Sequence, residues 1–208
     1  PGAPSDLSDV AFNGNTFTGN TEGVQNTTAS VLNALNNWWG SASGPFHATT
    51  NPGGTGDPVT NNVNYRPWTG MAAVSALPAA SGPINCGQTV TLNFRYVPDA
   101  LTPALRGFTV TVDCSAELSF GAADIADLDV FGAFGSDYFF AIDNGDGTFT
   151  IDSAILGGST GLTAAANLFA ITFHPVSDGT GTVTLPNVVL RDLTNGDIGS
   201  VVNGATIT

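Results

Sequence analysis

The 208-residue sequence contains no lysine and only four arginines, against 17 acidic residues, for a formal net charge of −13. Nucleic-acid binding depends on lysine and arginine replacing phosphate counterions, so this balance excludes a nucleic-acid partner and an anionic membrane surface. It favours solubility, and it leaves clustered carboxylates as candidate cation ligands. No run of about 18 apolar residues occurs, so no segment is predicted to insert in a bilayer as a helix. The opening Pro1-Gly2-Ala3-Pro4 has neither a charged n-region nor an apolar h-region. It is not a signal peptide, and processing or excision of the chain is expected. There are two cysteines, Cys86 and Cys114, too few for a zinc site without histidines at ligand spacing. The two histidines, His47 and His174, come with no G-x-S-x-G elbow, so nothing supports a Ser-His-Asp site. Glu22 and Glu117 are the only glutamates, and no carboxylate pair stands out for glycoside hydrolysis. No catalytic residue is assigned.

What is present favours strands and turns. The chain has 26 Gly and 12 Pro, is rich in Thr and Asn, and is 42% hydrophobic, enough to bury a core. Two regions follow different rules, residues 1–70 and residues 71–208. In the first, short apolar pulses (Val10, Phe12, Phe17, Val24, Val31, Leu32, Leu35) are separated by turns at Asn13, Asn15, Asn20 and Asn26. Short strands with asparagine at the corners suit stacked parallel coils. The stretch Asn36-Asn37-Trp38-Trp39-Gly40, then Ser43-Gly44-Pro45, then Asn51-Pro52-Gly53-Gly54-Thr55-Gly56-Asp57 leads to Asn62-Val63-Asn64-Tyr65-Arg66-Pro67-Trp68.

Residues 7–69 thereby resemble the C-terminal end of right-handed parallel β-helix proteins of the pectate-lyase-like superfamily, with Arg66 where an acidic or polar residue is commoner. The resemblance implies terminal coils closed by a cap, with Trp38, Trp39 and Trp68 plugging the open core and prolines ending the pairing. A rival reading makes the Trp pair a sugar-stacking platform. Enzymes of that superfamily act on middle coils, and no catalytic residue of theirs can be carried over here. Asn26-Thr27-Thr28 is a formal N-glycosylation sequon.

In the second region the alternation is clean. Residues 89–96 and 107–113 place apolar side chains at even positions, the mark of strands with one buried face. Further strands are predicted at about 128–142, 148–156, 166–175, 180–191 and 200–208, with Gly/Asn/Asp turns between them. The set predicts a β-sandwich. Cys86 and Cys114 share the inward parity, which predicts a disulfide, either beside a hairpin matching Val90 with Val110 and Leu92 with Phe108 or across the core between facing sheets. Asp143, Asn144 and Asp146 are candidate calcium ligands, set against a plain hairpin turn; Asp124, Asp127 and Asp129 form a second acidic cluster.

The stretches 87–92, 105–112, 116–120, 168–173, 181–185 and 188–193 resemble the cohesin family of scaffolding modules. The likeness covers about residues 72–208. It implies a jelly-roll-like sandwich and a binding or scaffolding role; in cohesins one sheet face grips a dockerin, a calcium-binding helical module. The sequence as a whole therefore predicts an all-β chain: β-helix terminal coils followed by a cohesin-like sandwich. The expected function is that of a non-catalytic extracellular or cell-surface structural or adhesive protein, associating with itself as a filament subunit or with another extracellular protein. The alternatives are a fragment of a secreted polysaccharide-degrading β-helix enzyme, or a carbohydrate- or dockerin-binding module. No cofactor beyond calcium is expected.

Overall fold

A computed structural model of the chain describes residue 7, residues 10–77 and residues 85–207. The chain divides into two compact units. The first runs to Met71 and takes in Asp99–Pro103 and Asp197–Gly199; the second comprises Ala72–Pro98, Ala104–Gly196 and Ser200–Thr208.

Asparagine does much of the hydrogen bonding in the first unit. Its paired segments are short, with strands β1 (Leu32–Asn33) and β2 (Val63–Asn64) joined in parallel, Leu32 beside Val63 and Asn33 beside Asn64. Isolated parallel bridges join Ala11 to Asn33, Thr16 to Trp38 and Val24 to Val59. Segments this short leave many amides and carbonyls outside any ladder, and buried ones need partners. Buried Asn37 meets that need: its Nδ2 donates to Phe12 O (2.5 Å), and its Oδ1 accepts from Asn15 N (2.7 Å). Buried Asn26 donates from Nδ2 to Ser30 O and Asn62 O, both at 2.8 Å, and accepts Thr28 N–H at Oδ1. The same Nδ2 would have to carry a glycan at the Asn26 sequon. Its burial and its two hydrogen bonds conflict with glycosylation of the folded unit. Apolar packing supplies the rest, through a cluster of Val24, Leu32, Ala34, Trp39, Val59, Val63, Tyr65, Trp68 and Met71.

In the second unit, long alternating segments form two sheets. One is built from β3 (Ala72–Leu77), β4 (Val90–Val97), β6 (Leu118–Ser119), β7 (Ile125–Asp127), β10 (Ala166–Pro175) and β13 (Ser200–Asn203). Its order is β13-β3-β4-β10-β6, with β7 also on β10. The other contains β5 (Leu105–Cys114), β8 (Asp137–Asp143), β9 (Phe149–Ile155), β11 (Gly181–Asp192) and β14 (Ala205–Ile207). It runs β11-β5-β9-β8, with β14 on β11. The two-residue strand β12 (Asp197–Ile198) belongs to the first unit. Pairing within the two sheets is antiparallel except for β13 on β3. Phe94, Phe169 and Phe108 are all buried, and the Phe169 ring lies 4.4 Å from Phe94 and 5.9 Å from Phe108. Since β10 and β5 lie in different sheets, the Phe169–Phe108 contact joins the two layers.

Of the two arrangements left open for β4 and β5, the structure has them in different sheets and not in a hairpin: β4 pairs with β3 and β10, and β5 pairs with β9 and β11. Alternation fixes which face a strand buries but not its neighbour. The predicted Cys86–Cys114 disulfide is absent, and both thiols are free. Cys86 is exposed on a turn next to Gly87 at φ +89°, so the parity of β4 does not extend back to it. It is held instead by Asp178, whose Oδ1 accepts its N–H at 2.9 Å. Cys114 is half-buried at the end of β5, and burial, helped by the Asp113 charge, pushes its thiol pKa up to about 11.

Candidate functional site

The outward side chains of the β11-β5-β9-β8 sheet form three rows across the strands. Along one, Ile142 sits beside Thr150, Thr150 beside Thr111, and Thr111 beside Asn187. The next is Phe140, Asp152, Thr109 and Val189, and the third is Tyr138, Ala154, Gly107 and Arg191. Period-two geometry makes this face coherent. Phe149, Ile151, Ser153 and Ile155 of β9 are buried, which leaves Thr150, Asp152 and Ala154 on the other side.

The edge strand β8 brings apolar surface to this face. Phe140 is 59% exposed and Ile142 53% exposed. The Tyr138 ring lies 5.3 Å from that of Phe140. Exposed large apolar side chains side by side mark an interaction surface more clearly than scattered single ones. Behind them is a polar network. Asp152 accepts the Tyr138 hydroxyl at Oδ1 (2.6 Å) and the Thr109 hydroxyl at Oδ2 (2.5 Å). The bond to Asp152, with burial and the carboxylate's charge, pushes the Tyr138 phenol up to about 12. Tyr138 is therefore a neutral donor fixed in place at physiological pH. Thr111 and Thr150 hydroxyls meet at 3.2 Å.

The row with the smallest side chains makes a hollow. Gly107 and Ala154 lie side by side, and Tyr138 and Arg191 flank them. The resulting notch, about 450 Å³, is also lined by Arg106, Asp152 and Leu156. Gly107 cannot be enlarged simply, because a Cβ there would lie 2.8 Å from Ala154 Cβ.

The residues singled out from sequence lie elsewhere. Asp143, Asn144 and Asp146 form the turn between β8 and β9. Asp143 Oδ1 accepts Gly145 N–H (2.8 Å), Asp146 Oδ1 accepts Thr148 N–H (3.0 Å) and the Thr148 hydroxyl (2.7 Å), and Asn144 Nδ2 donates to the Thr148 and Thr150 hydroxyls. Side-chain acceptors serving amides two residues on are what holds such a turn. Among the described residues no group of three or more His, Cys, Asp or Glu gathers as for a metal ion. Asp124 pairs with His174 Nε2 at 2.8 Å; this bond, with the Gly121 N–H, lowers its carboxyl below the usual range. Trp39 is fully buried and Trp68 is 3% exposed, so neither offers a ring face to a sugar; Trp38 is half-buried. His47 is buried, and its Nδ1 accepts the Thr49 and Thr50 N–H groups (3.3 and 3.1 Å). That leaves Nε2 as donor to Asn61 Oδ1.

Tyr138, Phe140, Asp152, Arg106 and Arg191 were not identified from sequence. Tyr138-Phe139-Phe140-Ala141-Ile142 is continuously apolar, which hides its exposed half. The signal was in the partner strand, where Asp152 interrupts an alternation that buries Ile151 and Ser153.

No family profile matches the sequence, and no curated protein does. Solved structures do match by fold. The seventh type I cohesin of ScaB from Pseudobacteroides cellulosolvens gives a TM-score of 0.54 at 14% identity, covering 66% of this chain and 91% of that one. A type I cohesin–dockerin complex from Clostridium thermocellum gives 0.52 at 11% identity, covering 66% of this chain and 92% of that one. The sixth cohesin of scaffoldin B from Acetivibrio cellulolyticus, in complex with a dockerin, gives 0.52 at 12% identity, covering 66% and 98%. At these identities the likeness defines the fold, an all-β protein with a cohesin-like sandwich. Among the described residues no helix is long and apolar enough to cross a membrane.

Proposed function

We propose that the protein is a non-catalytic extracellular scaffold component. Its sandwich holds a protein partner, a dockerin or a module of similar kind, across the outer face of the β11-β5-β9-β8 sheet. The observation that carries this reading is the strip of half-buried Tyr138 with exposed Phe140 and Ile142 over a fixed polar network, on a fold shared with cohesins crystallised with dockerins. Apolar anchors ringed by satisfied polar groups are the usual anatomy of a protein interface. Calorimetric titration of the full chain with a panel of type I dockerins tests it. Phe140→Asp puts a charge in the centre of the contact and is expected to weaken binding at least tenfold, about 1.4 kcal/mol. Affinity unchanged by both Phe140→Asp and Ile142→Asp would move the partner off this face.

A second reading concerns the first unit, and the parallel bridges favour it. Ala11 stacks on Asn33 and Asn33 on Asn64, a three-deep parallel ladder. We read this as the last coils of a β-helix, residues 1–70, with Trp38, Trp39 and Trp68 as its cap and the cohesin-like domain as residues 71–208. Val10 (38% exposed) and Phe12 (46%) lie on the outermost of the three rungs, which invites strand addition and filament growth. Ordered fibres in negative-stain electron micrographs of the native protein are the expected result. Monodisperse monomers by light scattering would retire the filament.

A further inference from the structure

We propose that the notch floored by Gly107 and Ala154 receives the carboxylate of an acidic side chain from the protein partner, with an apolar group of that partner seated next to it. This rests on the β11-β5-β9-β8 face being the partner-binding surface.

Charge carries the assignment. The chain has four cationic side chains, all arginine, against 17 acids. Two of the four, Arg106 and Arg191, line this one hollow. A protein of net charge −13 repels an acidic partner segment over most of its surface, so a paired-arginine notch is where such a segment gains attraction.

Geometry narrows the ligand. Arg106 donates from Nε to Ile155 O (3.3 Å) and from Nη1 to Leu193 O (3.5 Å). Those bonds hold the guanidinium plane in place before any ligand arrives. Its Nη2 donates to no protein acceptor among the described residues, and no carboxylate pairs with Arg106 there. A fixed guanidinium with donors to spare suits a planar carboxylate, and little ordering is left to do on binding. Asp152 in the wall has both oxygens bonded to Tyr138 and Thr109. Its charge disfavours a dianion such as sulfate over a single carboxylate. Leu156, 57% exposed, and the Tyr138 ring supply apolar walls for the methylene stem and for a neighbouring apolar side chain.

The test titrates the ¹⁵N-labelled full chain with two capped dipeptides, acetyl-Leu-Glu-amide and acetyl-Leu-Gln-amide, and with sulfate. The readouts are the amide signals of Gly107 and Ala154 and the arginine Nε signals. Saturable shifts with the Glu peptide are expected, roughly tenfold weaker with the Gln peptide, and weakening with salt. Arg191→Gln should lower the Glu-peptide affinity roughly tenfold. Ala154→Val, which fills the floor without touching a charge, should lower it as well. Equal binding of both peptides, or no saturation with either, overturns the proposal. Sulfate binding as tightly as the Glu peptide makes the notch a simple anion site and also overturns it. Self-association of the chain that Arg191→Gln abolishes would make the occupant a second copy, against the proposal. The two readings of the face separate cleanly. If Phe140→Asp abolishes dockerin binding and Arg191→Gln leaves it unchanged, the notch assignment fails and the face stands. If the Glu peptide binds and Phe140→Asp leaves dockerin binding unchanged, the face reading fails.

Discussion

Phe169→Ala is expected to destabilise the sandwich by about 3–5 kcal/mol, the range for removing a fully buried aromatic ring. Phe169 is 0% exposed on β10, a strand flanked on one side by β4 and on the other by β7, opposite Phe169–Ile171, and by β6 at its C-terminal end. Its ring stacks on Phe94 at 4.4 Å with an interplanar angle of 10°, and reaches Phe108 of the other sheet at 5.9 Å. Phe108 in turn lies 5.8 Å from Phe131, also fully buried. Truncation therefore opens a cavity where the two sheets meet, between rings held by backbone on both sides and slow to close over it. The register of β10 on β4 shifts between Asn167 and Phe169, and Leu168 through Ile171 are all buried in succession. That irregularity turns extra bulk inward at the place where the layers need it. In a unit of this size the loss should lower the melting temperature by roughly 10 °C or more in a calorimetric scan. Phe169→Leu, which keeps most of the volume, should recover much of it. A loss under about 1 kcal/mol would mean that these rings do not hold the sheets together.

Much of this core was legible in the sequence, because burial imposes period two. The segment predicted at 166–175 is β10, and those at 148–156 and 180–191 differ by a residue or two from β9 and β11. The stretch 128–142 was read too long: a short 3-10 turn at Gly132–Phe134 precedes β8. What alternation could not supply was adjacency. Val90 and Val110 have the same parity, yet their strands lie in different sheets, and Val110 faces Val188 and Ile151 as register partners. The disulfide failed for a related reason, since parity counts residues through a turn that breaks it at Gly87. The notch was invisible because it is made by an absence. Gly107 and Ala154 are separated by 47 positions, and only sheet register brings two small residues together between Tyr138 and Arg191.

The tryptophan-rich ending offers the sharpest test of the first unit. Trp68 is 3% exposed, its Nε1 donates to Ala42 O at 3.0 Å, and its ring lies 6.0 Å from Tyr65 and 4.7 Å from the Arg66 guanidinium. Trp68→Ala removes that packing and takes from the Ala42 carbonyl the closer of its two donors, leaving it Gly199 N–H at 3.4 Å, for an expected loss of about 3–5 kcal/mol. Gly44 makes the same point from the other side. It has φ +76°, a conformation that costs an L-residue about 1 kcal/mol, and a Cβ there would lie 2.6 Å from Trp68 Cζ2 and 2.7 Å from Cδ2. Gly44 cannot back away, since its N–H donates to Ser41 O and its carbonyl accepts Gly56 N–H. Gly44→Ala must therefore displace the indole, and it should cost several kcal/mol in the native Trp68 background. With Trp68→Ala already present the clash is gone, and the added methyl should cost only about 1 kcal/mol of backbone strain. Equilibrium unfolding of the two single variants and the double variant, followed by calorimetry, measures the coupling directly. Strong non-additivity is the expected result, and additive losses would show that glycine and indole are not packed against each other.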